Sequence, residues 1–317
     1  MKTVIYLQTL IVILSFLFHS CSSEEVDKCD KEIITFLPAV SVSTRSTMER
    51  GFEEGDKIGI FLFDQNKAAK WKYGSECWVS NIPVEYNGSV GWDSEMQLYW
   101  QKVPYTLMGI GYYPYASSTL DKDFTNVYFQ LPNDQSNRKL LRQSDFLWAS
   151  TTDIIYEKYN GGIPLLFNHL FSKLTVSFIN TTSITNSDMK NGVQVTNVYN
   201  RAIVNLVTGE VSYESSISPQ VIQMYYDENR QTAEAIIIPQ SVPVGQWINF
   251  KYKGRFYHYQ LQEPLILESG KEYKITIDLS TTPMRMMNMI VIAKLMQGRV
   301  ILVICLSFPA PSSAAAS

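Results

Sequence analysis

An all-β protein of sandwich type is what this chain predicts, and three observations carry the prediction. Apolar and polar residues alternate with a period of two in several segments, and β-rich runs recur about every dozen residues with turn dipeptides between them. Nothing before residue 280 sustains a helical period for three turns.

The first candidate strand is Ile33-Ile34-Thr35-Phe36-Leu37-Pro38, an apolar, β-prone run ahead of Arg45. Glu53-Glu54-Gly55-Asp56 then reads as a solvated acidic turn leading into a strand at 58–63. Runs at 105–111, 126–131 and 146–149 continue the pattern. Leu174, Val176 and Phe178 alternate with Lys173, Thr175 and Ser177, so this strand buries one face. After runs at 193–198, 233–238 and 250–260, the alternation returns as Tyr273, Ile275, Ile277 and Leu279 against Lys274, Thr276 and Asp278. Asn87-Gly88, Thr208-Gly209, Lys253-Gly254 and Ser269-Gly270 supply turns. Asn160-Gly161-Gly162-Ile163-Pro164 is the best boundary, dividing an N-terminal β-sandwich domain over 46–164 from a C-terminal one over 165–280. The two halves share no sequence repeat.

With 317 residues the chain is long enough for two modest domains, and 45% hydrophobic and 13% aromatic content with only 16 Gly and 13 Pro excludes disordered and collagen-like material. Lys and Arg number 27 against 30 Asp and Glu, without a basic cluster, so nucleic acid is not an expected partner.

The ends differ from the middle. Lys2 and the apolar run 4–18, broken at His19-Ser20-Cys21, read as a signal peptide over 1–20, too short to span a bilayer as a helix. Cys21 after a small residue, followed by Ser22-Ser23-Glu24-Glu25, reads as the lipid attachment site of a bacterial lipoprotein, with 21–45 a lipidated leader that carries the first strand. The plainer reading is an ordinary signal with an incidental cysteine. Several acyl chains anchor stably where one is marginal. Without Lys2, Arg285, Lys294 and Arg299, which lie in the two ends, the body holds 23 basic against 30 acidic residues, a net charge of -7. No acidic residue follows Asp278, and five of 11 methionines (Met284, Met286, Met287, Met289 and Met296) crowd the start of the tail over 281–317. A membrane segment, a pair of final strands and a lost reading frame near Thr282 all fit such a tail. The abrupt change in composition favours the last.

Catalytic patterns are sparse. His169 and His258 lack ligand-spaced neighbours, no G-x-S-x-G elbow or C-x-x-C pair occurs, and Gly109-Ile110-Gly111 runs into Tyr112-Tyr113-Pro114 instead of opening a helix. His258 reads as a strand-face residue among aromatics. Paired carboxylates are recognised only by spatial separation, so they are left to the structure. No catalytic residue, metal or cofactor is expected. Cys29 and Cys77 are compatible with a disulfide in an oxidising compartment, although Cys29 belongs to the leader.

Five segments, in order, carry a resemblance. They are Glu54-Gly55-Asp56-Lys57-Ile58-Gly59-Ile60-Phe61; Tyr99-Trp100 shortly before Gly111-Tyr112-Tyr113-Pro114-Tyr115; Asp145-Phe146-Leu147-Trp148-Ala149; Phe167-Asn168-His169-Leu170-Phe171-Ser172-Lys173-Leu174-Thr175-Val176; and Ile236-Ile237-Ile238-Pro239-Gln240. Over roughly residues 30 to 280 the chain resembles the fimbrillin family, the type V pilins of Bacteroidetes-type bacteria. The resemblance implies two tandem β-sandwich domains of transthyretin-like topology and a cell-surface fimbrial subunit or adhesin, lipid-anchored to the outer membrane. Its implied partners are other fimbrial subunits, the outer-membrane lipid and host or bacterial surface receptors. It makes the segment 169–173 a structural crossing between domains. It also implies a protease cut behind an arginine of the leader, for which Arg45 is the better candidate and Arg50 the other. The cut would free the first strand and open a groove for another subunit's strand. An uncut arginine in an exposed loop is the plain alternative. The tail departs from the family's pattern. A surface glycan-binding lipoprotein, using Trp71, Trp78 and Trp92 as stacking platforms, is a second functional class; the same aromatics would serve equally as core. An enzyme is a third.

Overall fold

A computed structural model describes residues 32–41, 51–70, 77–100, 105–117, 123–179, 189, 192–252 and 254–279, and the course of two strands beyond them. In the first half run β1 (Phe36–Val40), β2 (Lys57–Asp64), β3 (Val79–Tyr86), β4 (Trp92–Asp93), β5 (Leu107–Tyr113), β6 (Val127–Gln130), helix α1 (Arg138–Gln143), β7 (Leu147–Ile154), helix α2 (Tyr156–Tyr159) and β8 (Ile163–His169). The second half holds β9 (Ser172–Ile179), β10 (Gln194–Val198), β11 (Arg201–Val204), β12 (Val211–Tyr213), β13 (Gln220–Gln223), β14 (Tyr225–Asp227), β15 (Thr232–Ile237), β16 (Gln240–Val242), β17 (Gly245–Tyr252), β18 (Arg255–Leu261), β19 (Leu265–Leu267) and β20 (Glu272–Asp278). The final two strands are β21 (Ile290–Met296) and β22 (Arg299–Cys305). The all-β expectation holds, and both described α-helices are short.

Strands β1-β8-β7-β5-β2-β3-β4 form one sheet, in that order. Its central strands β2 and β5 are buried on both faces, which is why 58–63 and 107–113 read as continuous apolar runs rather than alternating ones. The sheet rolls until its edges nearly meet. Past β4 the chain returns at 98–100, where Ile34 donates its backbone N–H to Leu98 (2.8 Å) and Trp100 donates to Glu32 (2.9 Å). The concave face encloses Ile34, Phe36, Ile58, Ile60, Leu62, Leu165 and Phe167. Gly111 lies on this crowded side, where a Cβ would come within 2.7 Å of the Phe167 ring. The Gly-Ile-Gly segment thus serves close packing inside a rolled sheet.

In the second half, a four-stranded sheet (β13-β10-β17-β18) faces a six-stranded one (β14-β15-β9-β20-β22-β21). Val195, Ile248 and Phe250 of the first meet Val176, Phe178 and Ile275 of the second, with the Phe178 and Phe250 rings 5.4 Å apart. This is a sandwich. β22 runs parallel beside β20, within the compositionally distinct tail over 281–317. No helix among the described residues is long and apolar enough to cross a membrane.

The boundary at 164/165 falls inside β8, and the halves share structure across it. β6 of the first half pairs antiparallel with β11 of the second, Arg201 opposite Gln130 through Val204 opposite Val127. The convex face of the rolled sheet, with Phe61, Phe63, Ile110 and Tyr112, belongs to the same core as the second-half sandwich. Gln135, fully buried, bonds both backbone groups of Ile236, donating to its carbonyl (3.0 Å) and accepting its N–H (2.8 Å). Trp148 donates its indole N–H to Leu206 (2.7 Å) and lies against Gly209, whose φ of +74° and missing Cβ make room for the ring.

Candidate functional site

β1 is an edge strand with an unusual seat. Ile34, Phe36, Pro38 and Val40 point inward while Leu37 and Ala39 point out, so the alternation is legible in the sequence. Ile34 and Phe36 are 5% and 7% exposed. The strand switches partners at Thr35. Residues 32–34 bond to 98–100, and from Phe36 onward the chain lies parallel to β8, Phe36 opposite Ile163 and Val40 opposite Phe167. For that reason the strand begins three residues later than the apolar run suggested. The Thr35 carbonyl accepts from Ile163 (2.8 Å) and Ser41 donates to Phe167 (2.7 Å), closing the ladder at both ends. Removing β1 would bare the β8 edge together with the apolar faces of Ile163, Leu165 and Phe167.

Cys21, Cys29, Arg45, Arg50 and Trp71 all lie outside the described residues. The chain on either side of residues 42–50 is described, and both ends reach one place. Val40, Gly51 and Phe52 line the same cavity of about 100 Å³, with Tyr113, Arg142 and His169. Downstream of the gap the chain is firmly held. Phe52 packs edge-on against Trp92 (4.7 Å), Phe167 (5.3 Å) and Tyr113 (5.9 Å). Arg142 of α1 bridges Glu53 (3.2 Å) and Asp56 (2.6 Å). Asp56 also accepts from the Tyr113 hydroxyl (3.0 Å) and from the Glu53 N–H (2.7 Å). Burial first, and then the Asp56 carboxylate, push the Tyr113 phenol well above its ordinary range. The acidic turn at 53–56 is exposed at Glu53, Glu54 and Gly55, and Arg142 pins it through Glu53 and Asp56. Arg142 gave no signal in the sequence, because its partners are 86 and 89 positions away.

His169 and Lys173 flank the passage from β8 to β9, both buried. His169 Nδ1 lies 2.7 Å from Asp145, and Lys173 Nζ lies 3.5 Å from Glu234. These pairs tie β8 and β9 to neighbouring strands. His258 is exposed on β18. Trp78 and Trp92 are half-buried against the concave core, Trp92 also lying at a tilt beside Tyr86 (5.2 Å), so both serve packing. Cys77 packs against the shared core. Among the described residues, no group of three or more His, Cys, Asp or Glu is placed to hold a metal ion.

A family model described as fimbrillin-like matches residues 44–293. No curated protein matches the chain by sequence. The fold is similar to that of a proposed cell adhesion protein from Bacteroides uniformis, at TM-score 0.58 and 16% identity over 87% of this chain and 97% of that one. A proposed cell adhesion protein from Bacteroides ovatus is similar at TM-score 0.61 and 16% identity, over 87% of this chain and 96% of that one. At such identity the likeness is one of fold.

Proposed function

Because the chain belongs to the fimbrillin-like family, we propose that it is a cell-surface fimbrial subunit or adhesin, tethered to the outer membrane by lipid on Cys21 and able to exchange its first strand. Its role in this reading is structural and adhesive rather than catalytic, without a cofactor, and its partners are other fimbrial subunits and surface receptors.

The observation that carries the reading is the seat of β1. An edge strand buries two large side chains in a rolled core, and the chain just beyond it leads into the 42–50 segment that contains Arg45. Cleavage after Arg45 would leave the downstream chain pinned through Phe52 and the Arg142 ion pairs, while nothing covalent held β1. Ile34 and Phe36, each worth roughly 1.5–3 kcal/mol of burial, would be the main apolar anchors. A partner's strand with apolar residues at alternate positions would fill the same groove by β-strand addition.

The test compares purified protein lacking residues 21–45 with a Cys21→Ala full-length form. The shortened protein should multimerise or capture a fluorescent peptide spanning residues 31–41, and the full-length form should stay monomeric and ignore the peptide. Monomeric behaviour of both, with no peptide bound, would leave a permanently anchored surface protein without strand exchange.

A further inference from the structure

The outward face of the four-stranded sheet carries polar side chains that the packing does not use. Gln223 of β13, Gln194 of β10, Asn249 of β17 and His258 of β18 are successive cross-strand partners, so they form one row across the sheet. Their chain neighbours Val195, Ile248 and Tyr259 point the other way, into the core. Two residues from His258, and therefore on the same face, Phe256 is 81% exposed. A strand gains nothing in stability from a phenyl ring held in water, and Phe256 stands opposite Lys251 and diagonal to Asn249, not in an apolar patch.

Gln194, Asn249, Phe256 and His258 border a groove of about 280 Å³, near the lower end of the roughly 300–1,000 Å³ typical of small-molecule sites. Its amides are already oriented. Gln194 donates its Nε2 to Gln223 (3.3 Å), and Gln223 in turn donates to the Val193 carbonyl (2.8 Å), which leaves Gln194 Oε1 as an acceptor at the groove. Asn249 Oδ1 accepts from Gln246, which leaves its Nδ2 as a donor one strand away. His258 adds its ring nitrogens. Among the described residues the lining has no Lys, Arg, Asp or Glu.

We propose that this groove binds a neutral glycan, with Phe256 as the stacking platform and Gln194, Asn249 and His258 as the hydrogen-bonding wall. A sugar hydroxyl both donates and accepts, so neighbouring fixed donors and acceptors suit a pair of them. The C–H face of a pyranose is the apolar surface that a lone aromatic ring accommodates, its edge hydrogens meeting the negative ring face. The one described cation next to Phe256 on this face is its cross-strand partner Lys251, beside the described lining rather than in it, and a protein partner would need a broader apolar centre than one ring. The site lies in the second half, apart from β1, and does not depend on strand exchange.

Full-length protein in detergent, applied to an array of immobilised neutral oligosaccharides with sialylated and sulfated counterparts, tests this. Retention on one or more neutral glycans is expected. Phe256→Ala and Asn249→Ala should each weaken binding tenfold or more, Phe256→Tyr should preserve it, and multimerisation of the protein lacking residues 21–45 should be unaffected by any of them. Phe256→Ala should leave the melting temperature unchanged, so a folding defect in Asn249→Ala would not blur the result. Failure to retain any neutral glycan, retention confined to acidic ones, or binding that survives Phe256→Ala would overturn the proposal.

Discussion

Tyr259 shows how much a single atom weighs in a shared core. Its ring packs near Trp247, and its hydroxyl is buried without a hydrogen-bond partner among the described residues. Such a group costs about 1–3 kcal/mol in desolvation, so Tyr259→Phe is expected to stabilise the protein by about 1 kcal/mol in denaturant titration. A loss of stability would mean that the hydroxyl is satisfied after all. Burial alone pushes this phenol upward, and burial with Asp56 does the same to Tyr113. The sign follows from linkage: with the folded-state value raised above the ordinary 10.0, the unfolded chain loses these protons first. Their contribution is complete below about pH 10 and fades as the pH climbs past it. The Phe variant should accordingly show a shallower alkaline decline than the parent. Phe52 and Arg142 work at the same scale, one by three aromatic contacts and the other by two ion pairs, to hold the chain downstream of Arg45.

Among the elements, β1 has to be both well seated and removable. Its inward residues are fixed by alternation, but its neighbours are set by two long-range pairings, to 98–100 and to β8. Phe36→Ala removes the larger of its two buried side chains, where deletion of a core Phe costs about 3–5 kcal/mol when the site cannot relax. At an edge the loss should stay local. Hydrogen exchange of the β1 amides should quicken at least tenfold in the variant, with β2 and β5 protected as before. Uniform acceleration across the sheet would show that β1 is inseparable from the rolled core, which would weigh against strand exchange. The two-residue β4, at the opposite edge of the same sheet, offers far less ladder to a partner.

For the whole molecule, the acidic body and the rolled sheet joined to a sandwich make one unit, because the convex face of the first half is the floor of the second half's core. In the proposed reading, attachment to the membrane falls to Cys21 of the leader. Cys21→Ala is expected to abolish radiolabelled fatty-acid incorporation and to release the protein from the membrane fraction. A variant that still labels and stays with the membrane would show that the anchor lies elsewhere.

Strand content and the inward set of β1 and β20 were legible in the sequence, because a period of two is a local property of the chain; β9, expected to bury one face, also buries Lys173 and Thr175 on the other, because it lies between β15 and β20. The family resemblance was legible too, through short segments such as 54–61 and 167–176 that keep their order. The acidic turn at 53–56 was legible as an exposed turn before β2, but its ion pairs were not, since the guanidinium that binds it comes from α1. Trp78 and Trp92 were ambiguous until the roll of the sheet buried half of each. Gln194, Asn249 and His258 carry no local signal of their own. Only the registers of β10 with β17 and of β17 with β18 set them side by side. Local alternation follows from the backbone's own geometry, so the chain determines by itself which residues face inward. Which strand lies beside which is a contest among distant pairings, settled by the burial of shared apolar faces, and so only the tertiary structure decided it.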